Sequence, residues 1–200
     1  MKTFIDIETT GLNKATCDII QVATIVTDNS GTDVHSKTSM FLKVEISQEI
    51  ERLTGISNTR LAKEGLPRST FAKILRGMLE NNPTFVGHNI CTFDWPFIVA
   101  WLERHIDRFP TCPIAGLEDT LGMARSTFAL RKWPKNREVA YALGVEYDES
   151  MLHGAEYDIE LTRKVYVGLK GFDKFPAEER RKIRARMAEA LEMRNVVKEA

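Results

Sequence analysis

Two hundred residues, 43% apolar and 28% charged, suffice for one globular domain with a full core and at most an appendage, and exclude a disordered chain. Lys plus Arg and Asp plus Glu stand at 28 each, so no global basic field announces a polyanionic partner, although a local basic rim would not show in the total. No apolar stretch approaches the roughly 20 residues of a membrane span, and no signal-peptide pattern precedes the first motif. Cys17, Cys91 and Cys112 are scattered, odd in number and without a C-x-x-C pair, which excludes a disulfide framework and suits a reducing, cytoplasmic setting.

The first predicted element is a strand from Thr3 to Glu8, in which Ile5 and Ile7 alternate with Phe4, Asp6 and Glu8. Side chains two apart share a face, so the acidic pair points one way. Thr9–Lys14 carries turn chemistry around Gly11. A β-branched strand follows at Ile19–Thr27, then a turn over residues 28–31 and a third strand from about Ser36 to Val44, together an antiparallel meander. The pattern then changes to period 3.6, predicting helices at Gln48–Thr54 and Arg68–Asn81, a short strand at Thr84–Gly87, and a helix over about Thr92–Arg108 with Pro96 in its first turn. A strand near Ile114–Glu118 leads into helices at Asp119–Phe128, Arg137–Leu143 and Glu156–Leu169. Residues 1–172 read as one domain. From Pro176 a charged helix runs to the C-terminus over residues 173–200, with Ile183, Met187, Leu191 and Val196 as its apolar stripe. It is either packed on the domain or an arm for a partner. Strands first, then alternating helices and strands, predict an α/β protein with a mixed five-stranded sheet flanked by helices and the acid-bearing strand at its centre.

Four carboxylates stand where apolar neighbours make them costly. Asp6 and Glu8 lie on a strand that should be buried, Asp94 is in register with Ile98, Trp101 and Leu102, and Asp158 is in register with Leu161 and Val165. A like-charged pair about 4 Å apart repels by about 4 kcal/mol at an effective dielectric near 20. Helix capping could explain Asp94 alone, but not two helices each turning an aspartate inward. Divalent ions neutralise such a cluster, and a two-ion site suits phosphoryl chemistry. His153, in a loop beside the fourth carboxylate, has the pKa range of a general base.

These residues sit in ordered motifs: Phe4-Ile5-Asp6-Ile7-Glu8-Thr9-Thr10-Gly11-Leu12, then Gly87-His88-Asn89 with Phe93-Asp94, then His153-Gly154-Ala155 with Asp158. The set resembles the DnaQ-like (DEDDh) 3′→5′ exonucleases over about Thr3–Leu169, with Leu53-Thr54-Gly55-Ile56 and Asp119-Thr120 at minor family positions. It is most similar to the proofreading exonucleases of bacterial replicative polymerases. The only glutamines are Gln21 and Gln48, so no glutamine-led clamp-binding peptide is present, which favours a free-standing enzyme.

The resemblance implies a ribonuclease H-like fold and two Mg²⁺ or Mn²⁺ ions. Asp6 would bridge both, Glu8 and Asp158 would hold the ion of the nucleophilic water, Asp94 would support the other, and His153 would be the general base. Thr9, Thr10 and Gly11 would offer backbone N–H groups to the terminal nucleotide, while Leu12, His88, Asn89 and Phe93 would line its site. Leu12 and Phe93 fit core packing equally well. The basic run Arg131-Lys132-Trp133-Pro134-Lys135 would track a strand or simply be an exposed loop. The expected activity is release of nucleoside 5′-monophosphates from single-stranded DNA 3′ ends. The alternatives are RNA ends or short oligoribonucleotides, and a non-catalytic nucleic-acid-binding module, which would have no physical need for the acids and the histidine.

Overall fold

Strand β1 (Lys2–Thr9) buries both of its faces, which is why an early run of alternating residues becomes the middle of a sheet. It pairs antiparallel with β2 (Ile19–Thr27), which pairs antiparallel with β3 (Val34–Phe41). On its other side β1 runs parallel to β4 (Thr84–Gly87), and β4 to β5 (Gly116–Asp119). The strand order β3-β2-β1-β4-β5 puts the acid-bearing strand at the centre, as the sequence predicts. The computed structural model describes residues 1–82, 84–106, 116–152 and 154–199, with side chains as far as Arg194. The predicted end of the helix over Thr92–Arg108 and the predicted start of the strand at Ile114, and with them Cys112, lie outside the described residues.

Helices α1 (Gln48–Thr54), α2 (Asn58–Glu64), α3 (Arg68–Asn81), α4 (Asp94–His105), α5 (Thr120–Phe128), α6 (Asn136–Leu143), α7 (Ala155–Lys170) and α8 (Ala177–Glu199) complete the described chain. Ile5 and Ile7 face α3 and α4, where Phe71, Leu75, Phe97, Ile98 and Trp101 close the larger core. Phe4 faces the other way, against Ile159 and Tyr166 of α7. A third layer lies beyond α7, where Val165 and Leu169 meet Phe128 of α5, Val139 of α6 and Ile183 and Met187 of α8. The C-terminal helix packs here through Ile183 and Met187 of the predicted stripe and through Ala190, with Leu191 half-buried, while the Val196 side chain lies outside the described residues. None of the helices among the described residues is long and apolar enough to cross a membrane.

Two features differ from the sequence reading. Helix α2 was hidden because Leu61 is its only buried residue, so no apolar stripe marks it; Ser57 caps its start through the Arg60 N–H. Strand β3 begins at Val34 and ends at Phe41 because residues 34–38 are exposed at the sheet edge and show no inward alternation.

The segment between β1 and β2 is anchored from below. Thr10 and Asp18 exchange hydrogen bonds, Thr10 N to Asp18 O and Asp18 N to Thr10 Oγ1, each 2.9 Å. The Asp18 carboxylate accepts from Trp101 Nε1 at 2.9 Å and from Arg68 Nη2 at 3.0 Å. Partial burial alone would raise its pKa, but the Arg68 and Trp101 hydrogen bonds and the Arg68 charge hold it below the usual value. Arg104 donates to the Lys14 and Cys17 carbonyls. Trp101 is fully buried, so removing its acceptor strands an indole N–H. Asp18→Ala should cost about 1–3 kcal/mol, read as a lower urea midpoint; an unchanged midpoint would show that these bonds do not hold the segment.

Candidate active site

The four predicted carboxylates arrive from three elements. Asp6 and Glu8 occupy alternate positions on β1, on the same face as Phe4 and towards α7. A break in register between Glu8 and Thr9 ends the regular pairing with β2 just past the pair. Asp94 is the first residue of α4 and is 4% exposed. Asp158 lies in the first turn of α7, one position before buried Ile159.

Asp94 reaches the sheet because the chain turns sharply after β4. A Cβ on Gly87 would come within 2.8 Å of Ile90 Cβ and 3.1 Å of Ile5 O, so only glycine lets the end of β4 lie this close to β1. Asn89 follows in the left-handed region at φ 70°, a conformation that asparagine tolerates. Asp119, at the end of β5, ties this turn down. It accepts from Asn89 N at 2.9 Å and Cys91 N at 3.2 Å, and caps α5 by accepting from Leu121 N at 2.9 Å.

Among the described residues, the charges that act on Asp6 and Glu8 are all negative. Burial pushes Asp6 well above the usual carboxylate pKa, and Asp94, Glu8 and Asp158 push it further. Glu8 is raised to about 8 by burial, then by Asp158 and Asp94. Asp94 is raised to about 7 by burial, with Asp119 adding to the effect; hydrogen bonds from its own N–H and that of Ile7 act in the opposite direction. Asp6, Glu8 and Asp94 are charged at neutral pH only against burial and the field of their acidic neighbours.

A cavity of about 220 Å³ opens over Asp6 and Asp158. His88 and the run Lys135, Asn136 and Arg137 form other parts of its wall. His88 is held from two sides, with Nδ1 3.0 Å from Thr120 Oγ1 and Nε2 3.2 Å from Pro134 O. With the proton on Nε2, it donates to that carbonyl, and burial lowers its pKa, keeping the ring neutral. Asn136 donates to Thr162 Oγ1 at 2.9 Å, whereas its Oδ1 is buried with no hydrogen-bond partner among the described residues.

Of the predicted substrate contacts, His88 is the one that lines this cavity. The N–H groups of Thr10 and Asn89 already donate to Asp18 and Asp119. Thr9 Oγ1 donates to Gly11 O at 2.8 Å, fixing the turn after β1. Leu12 is 85% exposed, which overturns the core-packing alternative for it. Phe93 is half-buried, its ring 5.8 Å from that of Phe97, so core packing accounts for much of it. His153 lies outside the described residues. Sequence reasoning missed Asn136 and Arg137; Lys135 appeared only as part of a basic run. No local signal could place them here, because a long-range bond from His88 to Pro134 brings this segment to the site.

The donor set suits a hard divalent cation, since all four groups offer carboxylate oxygen and the charges acting on Asp6 are all negative. Among the described residues, no three His, Cys, Asp or Glu side chains form a ready-made metal-binding group, so ion binding would draw the carboxylates inward. The residues fit the ion by chemistry, with that adjustment.

Comparisons with known proteins agree with this arrangement. The family described as Exonuclease (RNase_T) matches residues 3–166. The chain belongs to this exonuclease family. It is 31% identical to the 3′-5′ exonuclease DinG of Bacillus subtilis over 166 residues, 82% of this chain and 17% of that protein. It is 30% identical to a PolC-type DNA polymerase III of Mycoplasma genitalium over 167 residues, 82% of this chain and 11% of that protein. Ribonuclease T of Citrobacter koseri is 27% identical over 180 residues, 81% of this chain and 80% of that protein. The chain thus spans less than a fifth of the DinG and PolC relatives. A solved structure of exonuclease I shares the fold with TM-score 0.72 at 22% identity, over 84% of this chain and 40% of that one. The fold is ribonuclease H-like, and the family depends on divalent metal.

The raised carboxylates dictate a pH dependence. Their pKa values lie above those of an unfolded chain, about 4, so the metal-free fold keeps protons that the unfolded chain loses. Stability should therefore fall as pH rises from about 5 to about 8 in chelator, a window in which Asp18, with its lowered pKa, stays ionised. Mg²⁺ should raise the melting temperature at about pH 8 and hardly at all at about pH 5. A metal-free melting temperature that climbs across this window would contradict the assignment.

Proposed function

We propose that this protein hydrolyses single-stranded nucleic acid from the 3′ end, releasing nucleoside 5′-monophosphates, with DNA as the preferred polymer. The observation that carries the reading is the mutual repulsion of Asp6, Glu8, Asp94 and Asp158 beside a cavity with a basic rim, in a chain of the exonuclease family. Asp6 would hold two divalent ions, Mg²⁺ or Mn²⁺, with Glu8 and Asp158 on one and Asp94 on the other. When bound, the ions would lower the pKa of the attacking water and offset the charge of the phosphodiester.

The chain supplies the rest. His153 accepts the proton of the attacking water, which forms the new P–O bond as the bond to the 3′ oxygen of the preceding nucleotide breaks. Lys135 and Arg137 at the cavity rim meet the phosphates upstream of the scissile bond, and neutral His88 fixes the loop that carries them. Exposed Leu12 would abut the terminal base, with Thr9, Thr10, Gly11, Asn89 and Phe93 as the other contacts to the terminal nucleotide. Removing nucleotides from an end needs little base readout, so stacking and phosphate contacts suffice.

A cytoplasmic setting accords with this reading. RNA is the second reading, because Ribonuclease T is matched over 80% of its own length, whereas single-stranded DNA is the ligand in a solved exonuclease I complex with TM-score 0.71.

Matched 5′-labelled DNA and RNA strands in Mg²⁺ should shorten from the 3′ end, DNA faster. Asp6→Ala should abolish the ladder without unfolding the protein, and His153→Ala should slow it by roughly 10²–10⁴. Faster RNA shortening would move the assignment to an exoribonuclease, and normal cleavage by Asp6→Ala would remove the site.

A further inference from the structure

Helix α8 reaches the loop that precedes α6 through Arg194. Arg194 Nη1 donates to the Trp133 carbonyl at 3.0 Å and lies 3.3 Å from Glu138 Oε2. Glu138, in the first turn of α6, is 6% exposed, and the same Oε2 accepts from Lys135 N at 2.8 Å. The next carbonyl, that of Pro134, is bonded to His88 in the cavity wall. Two consecutive carbonyls of one loop are thus gripped from opposite sides, by α8 and by the active site. The residues that follow, Lys135, Asn136 and Arg137, are those that line the cavity.

The docking of α8 does not depend on this contact, since Ile183, Met187 and Ala190 bury its apolar stripe against α6 and α7. Arg194 instead serves the loop. It is the cation paired with a buried carboxylate, and that carboxylate orders the first turn of the helix carrying the basic rim. Without it, Glu138 would keep a charge in a nearly closed site with one fewer donor, and would turn towards water. That movement would release the Lys135 N–H and loosen the rim.

We propose that Arg194 is a positioning residue of the nuclease, through which the C-terminal helix holds Lys135 and Arg137 in place to receive the phosphates upstream of the scissile bond. This rests on the exonuclease reading above.

The test uses the full chain, a 5′-labelled single-stranded DNA oligonucleotide, and a nitrophenyl ester of thymidine 5′-monophosphate, which has no upstream phosphates. Arg194→Ala should raise KM for the oligonucleotide roughly five- to tenfold, the size expected for one ordinary hydrogen bond, with kcat changed less than about twofold. Arg194→Lys should recover part of the loss. Glu138→Ala, which removes the acceptor of the Lys135 N–H, should reproduce the KM rise. Cleavage of the ester should stay near the wild-type rate. In a Lys135→Ala, Arg137→Ala background, Arg194→Ala should add little.

An unchanged KM, an equal loss on both substrates, or a full effect in that background would each overturn the proposal. A wild type that cleaves neither substrate would remove the exonuclease reading and this inference with it.

Discussion

Four carboxylates are held together by the fold, and among the described residues the charges that act on two of them, Asp6 and Glu8, are all negative. The rest of the architecture bears on that constraint. The central strand sets two of the acids on one face, Gly87 brings α4 close enough to add a third, and α7 packs across the same face to add the fourth. Each support is apolar and rigid: Ile5 and Ile7 against α4 behind the strand, Phe4 against Tyr166 in front. Packed cores of this kind resist small displacements, so burial first, and repulsion after it, raises the pKa values of these acids instead of driving them apart.

Around that cluster, hydrogen bonds fix the segments that a substrate would meet. Asp119 satisfies the turn that carries Asn89, Asp18 and Arg104 tether the segment that carries Leu12, and His88 holds the loop before α6. The exposure of Leu12 follows from this tethering, because its neighbours are anchored while its side chain has nothing to pack on. An apolar side chain kept in solvent beside a carboxylate cluster is a physical cost, one that contact with a nucleobase would relieve.

The sequence carried the fold well where burial leaves a period. Asp6 and Glu8 were legible because a strand alternates, and Asp94 and Asp158 because each interrupts an apolar stripe at helical spacing. The meander of the first three strands and the central place of β1 followed from short connections early in the chain and helical ones later. Helix α2 was not legible, since one buried leucine makes no pattern, nor was the start of β3 at an exposed edge. The basic rim was half visible as a charge run, but its place over Asp6 depends on His88 and Arg194 reaching it from 46 and 61 residues away, which no local window contains.

The central claim is that the four acids form a site for divalent cations, and direct binding tests it without any substrate. Manganese can be titrated into the chelator-treated protein at about pH 8 while the free ion is followed by electron paramagnetic resonance. The account predicts about two ions bound per chain, and a loss of binding in Asp6→Ala, the residue proposed to hold both. Millimolar Mn²⁺ remaining wholly free, or binding that Asp6→Ala leaves intact, would contradict it.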